Sequence, residues 1–237
     1  MTGSPNESWP AVFLDRDGTL MRDVDYCGDP GQVDVYPETA EALRRLKEKG
    51  YKLVIITNQS GIGRGYFTEE DYRAVETEFR RQLGHGLIDA SYHCPDLPTS
   101  ASIRRKPGPG MVFEAQREHR LDLRRSFFVG DKASDIGCGQ NAGVRTILVQ
   151  TGFGPGENNC RPDWVARDIR QALDIILRSE YEGNLCHPEA GEARRGTPHA
   201  LNRFREAPSA YVRANGSIRL GDRTCNREVP RRLRGSG

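Results

Sequence analysis

The sequence predicts an α/β fold with a mainly parallel central sheet flanked by helices. Three observations carry that reading. Short, nearly continuous apolar runs, such as residues 11–14 and 51–56, read as strands buried on both faces, without the polar alternation of a half-exposed strand. Segments with helical spacing of apolar residues alternate with them, the pattern of a parallel sheet with crossover helices. The runs end in polar residues, Asp15 and Asp17, then Thr57 and Asn58, then Asp131. In open α/β sheets ligands bind beyond the carboxyl ends of the strands, where these residues fall.

Residues 1–10 form a short polar lead-in. After the first strand, residues 21–36 are irregular and rich in Asp and Gly, a flap over the end of that strand. Pro37 opens a helix with Ala40, Leu43 and Leu46 on one face, and Gly50 stops it. The second strand, 51–56, runs into Thr57-Asn58-Gln59-Ser60, and Gly61, Gly63 and Gly65 predict a loop after it. Thr68 and Asp71 have capping-box spacing, and the helix they start turns Tyr72, Val75, Phe79 and Leu83 inward. Residues 87–93 make a third, weaker strand. Residues 95–109 are a loop punctuated by four prolines, the last of which starts a helix through Met111, Phe113 and Ala115. The fourth strand, 126–129, ends at Gly130-Asp131-Lys132. A helix from about Ser134 to Ala142 and a fifth strand, 144–149, follow. A last amphipathic helix carries Ile169, Leu173, Ile176 and Leu177 and closes a domain spanning 11–178.

A chain of 237 residues suits one large domain, or one domain with an appendage. The formal charge of +2 predicts no polyanion partner for the whole chain. From residue 180 onward, however, there are eleven arginines and no lysine against seven acidic residues, with neither helical nor strand period. Residues 179–237 therefore read as a disordered Arg-rich tail. No aromatic-basic interleaving or RNA-binding signature supports a nucleic-acid role for it. No apolar run approaches the ~20 residues needed to span a bilayer, and the first ten residues have no signal-peptide character. The six cysteines are scattered without a small-domain disulfide framework. The expectation is a cytoplasmic monomer acting on a small molecule, with no membrane and no nucleic acid as partner.

Asp15 and Asp17 are separated by one residue and followed by Gly18, where the chain can turn sharply. Carboxylates that close repel, so the pair needs a cation, a shared proton, or both; an isolated match of this kind would be a solvated Asp-rich turn. The other strand ends argue for more. They add Asp131, the Thr57 hydroxyl, amides at Asn58 and Gln59, and, from the proline-rich loop, Arg105 and Lys106. Carboxylates for a hard cation, hydroxyl and amide donors and two cations suit phosphoryl transfer. Mg²⁺ takes oxygen ligands, and Asp15, Asp131 and a main-chain oxygen near Asp17 can supply them. One carboxylate can attack phosphorus, and a second can protonate the leaving alkoxide. Lys106 and Thr57 would stabilise the transferring oxygens.

Asp15-Arg16-Asp17-Gly18-Thr19, Thr57, Lys106, and Gly130-Asp131-Lys132 with Asp135 resemble, in order and spacing, the four motifs of the haloacid dehalogenase (HAD) phosphohydrolase superfamily. The resemblance covers roughly residues 10–178. Within that superfamily, residues 13–19, 57–65, 105–111 and 129–132 resemble the D-glycero-D-manno-heptose 1,7-bisphosphate 7-phosphatase family, with the histidinol-phosphatase domain as the nearest other family. The resemblance implies a Rossmann-like HAD fold with a minimal cap. It implies Asp15 as nucleophile and Mg²⁺ ligand, Asp17 as general acid/base with its main-chain oxygen on the metal, Asp131 as the further ligand, and Asp135 behind them orienting Lys106 or metal-bound water. Thr57 and Lys106 would hold the phosphoryl group. Substrate contacts would fall on Asp23, Val24, Asp25, Tyr26, Asn58, Gln59, Ser60, Arg105 and Lys132. Arg105, with Arg64 if it turns inward, could hold a second phosphate bidentately.

One departure stands out. The family carries structural Zn²⁺ on a Cys-x-His and Cys-x-Cys set in the loop before the lysine, and here those positions are Cys94, Asp96, Ser102 and Arg104. Only one thiol remains, so no zinc is expected. The sequence favours a Mg²⁺-dependent phosphatase that removes the C7 phosphate of the heptose bisphosphate. The alternatives are a histidinol-phosphate or other small-phosphomonoester phosphatase, a nucleic-acid 3′-phosphatase, and a non-catalytic sugar-phosphate sensor.

Overall fold

The structure is a computed structural model and describes residues 8–153 and 159–185. The expected lead-in falls outside the described residues up to residue 7, and the Arg-rich tail does so from residue 186. Six parallel strands form one sheet in the order β3-β2-β1-β4-β5-β6. They are β1 (Ala11–Leu14), β2 (Lys52–Asn58), β3 (Ala90–Cys94), β4 (Phe127–Gly130), β5 (Arg145–Val149) and β6 (Trp164–Ala166). The helices are α1 (Thr39–Glu48), α2 (Ser60–Gly63), α3 (Glu69–Leu83), α4 (Gly110–His119), α5 (Ala133–Ala142) and α6 (Ile169–Leu185).

Every residue of β1 is fully buried, because alternate side chains enter two separate cores. Val12 and Leu14 pack with Leu43, Leu46, Phe79, Leu173 and Ile176 from α1, α3 and α6. Ala11 and Phe13 pack with Met111, Val112, Ala115 and Cys138 from α4 and α5. Each Leu, Ile or Phe so enclosed contributes about 1.5–3 kcal/mol. This two-sided burial explains why the strand lacks polar alternation. Thr68 and Asp71 form both bonds of the expected capping box, 3.1 and 2.7 Å, and Tyr72, Val75, Phe79 and Leu83 are buried as their spacing predicts.

The structure corrects several boundaries. Residues 60–63, expected as loop, close one helical turn in which the Arg64 N–H donates to Ser60 O at 3.0 Å. The third strand begins at Ala90 rather than Leu87. The sequence reading missed β6, three residues long with Val165 half-exposed, too short for a period to register. The last helix, expected to end near Leu177, continues to Leu185. No described helix is long and apolar enough to cross a membrane.

The strand order reverses between β1, which leads outward to β2 and β3, and β4, which leads to β5 and β6. The crevice of an open sheet lies at such a switch point. Asp15 and Asp17 follow β1, and Asp131 follows β4, so the topology delivers all three carboxylates to that crevice.

Candidate active site

Asp15 leaves β1 only 4% exposed. The Lys106 ammonium lies 2.6 Å from its Oδ1, 2.7 Å from Asp135 Oδ1 and 2.7 Å from the Ile56 carbonyl oxygen. Asn58 holds that lysine in place from the end of β2. Its Oδ1 accepts the Lys106 N–H at 3.0 Å and its Nδ2 donates to Lys106 O at 3.1 Å. Burial opposes the ammonium charge, but Asp135 and Asp15 outweigh it and raise the Lys106 pKa above its ordinary value. Burial pushes Asp15 well above the usual carboxylate range. Lys106 pulls it back, while Asp135, Asp131 and Asp17 add to the upward push.

Asp131 is fully buried at the end of β4, where burial first and Asp135 second push its pKa up to about 6. Its Oδ2 accepts the Phe153 N–H at 2.8 Å, and its Oδ1 faces the Thr19 hydroxyl at 3.4 Å. Two glycines press flat against the carboxylate. A β-carbon would come within 2.4 Å of Oδ2 at Gly18 and 2.2 Å at Gly152, and Gly18 also has φ +88. Asp135, in the first turn of α5, accepts the Lys132 N–H on its Oδ2 at 3.0 Å while Oδ1 faces Lys106.

Asp15, Asp131 and Asp135 each offer an oxygen, all within 4.8 Å of one another. An all-oxygen set of buried, mutually repelling carboxylates fits a hard divalent cation such as Mg²⁺. Asp135 meets Lys106 through Oδ1 and the start of α5 through Oδ2, and Asp15 and Asp131 also carry partners of their own, so the three carboxylates together are the candidate donor set.

The Asp17 carboxylate stands beside this cluster and is held from two sides. Gln59 Nε2 donates to its Oδ2 at 2.8 Å, with the Thr57 hydroxyl at 3.4 Å, and Arg16 faces it from behind. Gln59, expected at the substrate, is 5% exposed and ties Asp17 to Thr57 as well as lining the cavity.

These groups floor a cavity of about 240 Å³. Of the expected substrate residues, Asp23, Val24, Asp25, Tyr26, Asn58, Gln59, Ser60, Arg105 and Lys132 all line it. The flap is tethered there: Lys132 Nζ lies 2.9 Å from Asp23 Oδ2. Arg105 donates from Nη1 to Asp96 O at 2.9 Å and has no carboxylate within ion-pair distance among the described residues. Arg64 does not line the wall. Its guanidinium lies 5.8 Å from the centre of the Tyr26 ring, and Tyr26 meets Tyr66 edge-on at 4.8 Å.

Sequence reasoning missed Phe153, which lines the cavity, sits 4.6 Å from Lys132 Nζ and bonds Asp131 through its N–H. It follows β5, and the rule that strand ends carry the site applied there as it did after β1 and β4. In the loop before Lys106, the Cys94 thiol donates to Asp96 Oδ2 at 3.3 Å, and Arg104 turns away to Glu114 at 2.9 Å. Hydrogen bonding from Ser102 and then Cys94 holds the Asp96 carboxyl below its ordinary value.

A HAD-hydrolase-like family profile matches residues 103–172. A D-glycero-D-manno-heptose-1,7-bisphosphate 7-phosphatase of Thermosynechococcus vestitus is 38% identical over 186 residues, 70% of this chain and 95% of the relative. A D-glycero-beta-D-manno-heptose-1,7-bisphosphate 7-phosphatase of Yersinia pestis is 37% identical over 187 residues, 74% of this chain and 99% of the relative. Among solved structures, a D,D-heptose 1,7-bisphosphate phosphatase from B. bronchiseptica, complexed with magnesium and phosphate, superposes with a TM-score of 0.65. It is 30% identical and covers 72% of this chain and 99% of its own.

Proposed function

The chain belongs to the HAD phosphatases of the heptose-1,7-bisphosphate 7-phosphatase family, and from that premise we propose that it removes the C7 phosphate of D-glycero-D-manno-heptose 1,7-bisphosphate, with Mg²⁺, through an aspartyl-phosphate. The observation that carries the reading is the pairing of a lysine-bound Asp15 with an Asp17 held beside it, at the floor of a cavity whose wall offers a guanidinium without a carboxylate partner.

Asp15 attacks phosphorus, and the bond from phosphorus to the C7 oxygen breaks. Asp17 delivers its proton to the departing alkoxide, then removes one from the water that hydrolyses the aspartyl-phosphate and frees inorganic phosphate. Lys106 and the Thr57 hydroxyl balance charge on the equatorial oxygens, with the lysine already held to Asp15 at 2.6 Å. Asp15, Asp131 and the main-chain oxygen of Asp17 would hold Mg²⁺, which when bound offsets the carboxylate repulsion and polarises the phosphoryl oxygens. Asp135 orients Lys106 from behind. Arg105 would take the C1 phosphate in a two-pronged contact at the far wall. We assign no zinc to the loop before Lys106. Its four positions offer one thiol, one carboxylate, one hydroxyl and a guanidinium paired to Glu114, which does not match a tetrahedral nitrogen and sulfur set.

Phosphate release with Mg²⁺ from heptose 1,7-bisphosphate, fructose 1,6-bisphosphate and histidinol phosphate, compared by kcat/KM, tests the assignment. The heptose bisphosphate should be preferred over histidinol phosphate by at least about tenfold, the effect of one charge-assisted contact of ~1.4 kcal/mol or more, and over fructose 1,6-bisphosphate by the fit of the sugar itself. Preference for histidinol phosphate would keep the chemistry and overturn the substrate.

A further inference from the structure

We propose that Arg16, the residue between the two aspartates, is a positioning residue that fixes the carboxylate of Asp17 toward the leaving group, and that Glu76 and Tyr72 on α3 anchor it. The proposal rests on Asp17 acting as the acid/base described above.

Arg16 is 0% exposed and is the largest fully buried side chain among the described residues. It does not line the cavity, so it has no direct route to substrate. Its Nε lies 3.3 Å from both oxygens of Asp17, and Nη2 lies 3.1 Å from Oδ2. On its other side Nη1 faces Glu76 Oε2 at 3.7 Å, and Cζ sits 5.4 Å from the centre of the Tyr72 ring. Glu76 is fixed in turn, its Oε1 accepting from Arg80 Nε at 2.9 Å and from the Ser91 hydroxyl at 2.6 Å. A chain of contacts therefore runs from β3 and α3 through one guanidinium to the Asp17 carboxylate.

The energetics indicate a purpose beyond folding. Taking a guanidinium wholly and two carboxylates largely out of water is costly, and apolar side chains of similar volume are often as stable or more so. What an apolar side chain cannot supply is direction. Arg16 approaches both Asp17 oxygens from behind while Gln59 holds Oδ2 from the cavity side, so the carboxylate has one orientation. A general acid must reach the departing oxygen within hydrogen-bond distance, and a misplacement of about 1 Å costs roughly 100-fold.

The test compares two substrates on the full chain. The heptose bisphosphate loses an alkoxide that must be protonated, whereas p-nitrophenyl phosphate loses a phenolate that need not be. Because Asp17 also activates the water that hydrolyses the aspartyl-phosphate formed from either substrate, the rate compared is release of the leaving group in a single turnover. Arg16→Met should lower that rate on the sugar phosphate by about 100-fold with substrate affinity little changed, and on p-nitrophenyl phosphate by less than about fivefold. Arg16→Lys should recover about tenfold of the loss, since it restores the charge without the fork. Glu76→Gln, nearly isosteric and remote from the reacting atoms, should give the same selective loss at about tenfold, and it decides the matter alone if Arg16→Met does not fold. Equal losses on both substrates, or none, in variants with unchanged Tm would overturn the proposal. Asp17→Asn separates this outcome from failure of the underlying reading. A selective loss of about 10²–10⁴-fold in Asp17→Asn but not in the Arg16 and Glu76 variants sinks the positioning role alone. No selectivity in Asp17→Asn sinks the acid/base assignment and the proposal with it.

Discussion

At the strand ends Asp15, Lys106 and Asp131 are each 4% exposed or less, and each is held by two or more partners from different elements. At the mouth of the same cavity Tyr26 is 42% exposed and Arg64 rests on its ring. The floor is made by the ends of strands buried on both faces together with Lys106, the mouth by the connections that follow β1, β2 and β3. On the mechanism proposed above, the floor fixes which bond is broken, and the mouth governs which molecule presents it. Substitutions on the floor should fall on kcat or on the metal, and substitutions at the mouth on the choice of substrate.

The strongest way to break this contrast is at Asp15. Asp15→Asn should reduce phosphate release to background while the thermal transition holds or rises, because it removes one of several crowded carboxylates. Substantial remaining turnover would show that the floor does not supply the nucleophile. Gly152→Ala forces a β-carbon toward Asp131 Oδ2 and should weaken Mg²⁺ binding by about 10–100-fold in calorimetry, the usual cost of disturbing a ligand's support.

Proton competition sharpens the same point. Asp131 is pushed up to about 6, so the metal-free protein takes a proton there as pH falls through 6. A folded-state pKa above the unfolded value makes that contribution favour the fold at low pH and fade as pH rises toward 6. The rise in Tm on adding Mg²⁺ should accordingly be larger at pH 7.5 than at pH 5, and an equal rise at both would remove Asp131 from the ion's ligands.

Arg105→Ala probes the mouth. It should lower kcat/KM for the bisphosphate by about tenfold and leave a monophosphate within about twofold. Arg64→Ala should do least, less than about threefold on either substrate, because its guanidinium stacks on Tyr26 outside the wall. A larger effect at Arg64 than at Arg105 would reverse their roles.

The floor was legible in the sequence because its residues combine two signals, an apolar run and a carboxylate, hydroxyl or amide where the run stops. Asp15, Thr57 and Asp131 were found that way, and Lys106 by joining them to a known motif set. The supports were not legible. Arg16 is a charged residue with no period to mark it, and its burial depends on Tyr72 and Glu76, 56 and 60 residues later. Asn58 looked like a substrate contact, yet its amide joins the Lys106 main chain across 48 residues. Phe153 was missed for a different reason: it follows β5, but its tie to Asp131 runs through the main-chain N–H, which a search for polar side chains at strand ends does not see. Strand β6 was too short to show.

The central place of β1 also bears on how the protein is made. This strand leaves a ribosome before its neighbour β4, and the lysine and aspartate that complete its site are encoded roughly 90 to 115 positions later. Until then one edge of β1 and the carboxylate at its tip have no companions, and such unpaired edges are where incomplete chains associate wrongly. Catalytic competence and protection of that edge arrive with the same segment. A chain cut short before β4 should therefore lack phosphatase activity and associate more readily than the full chain.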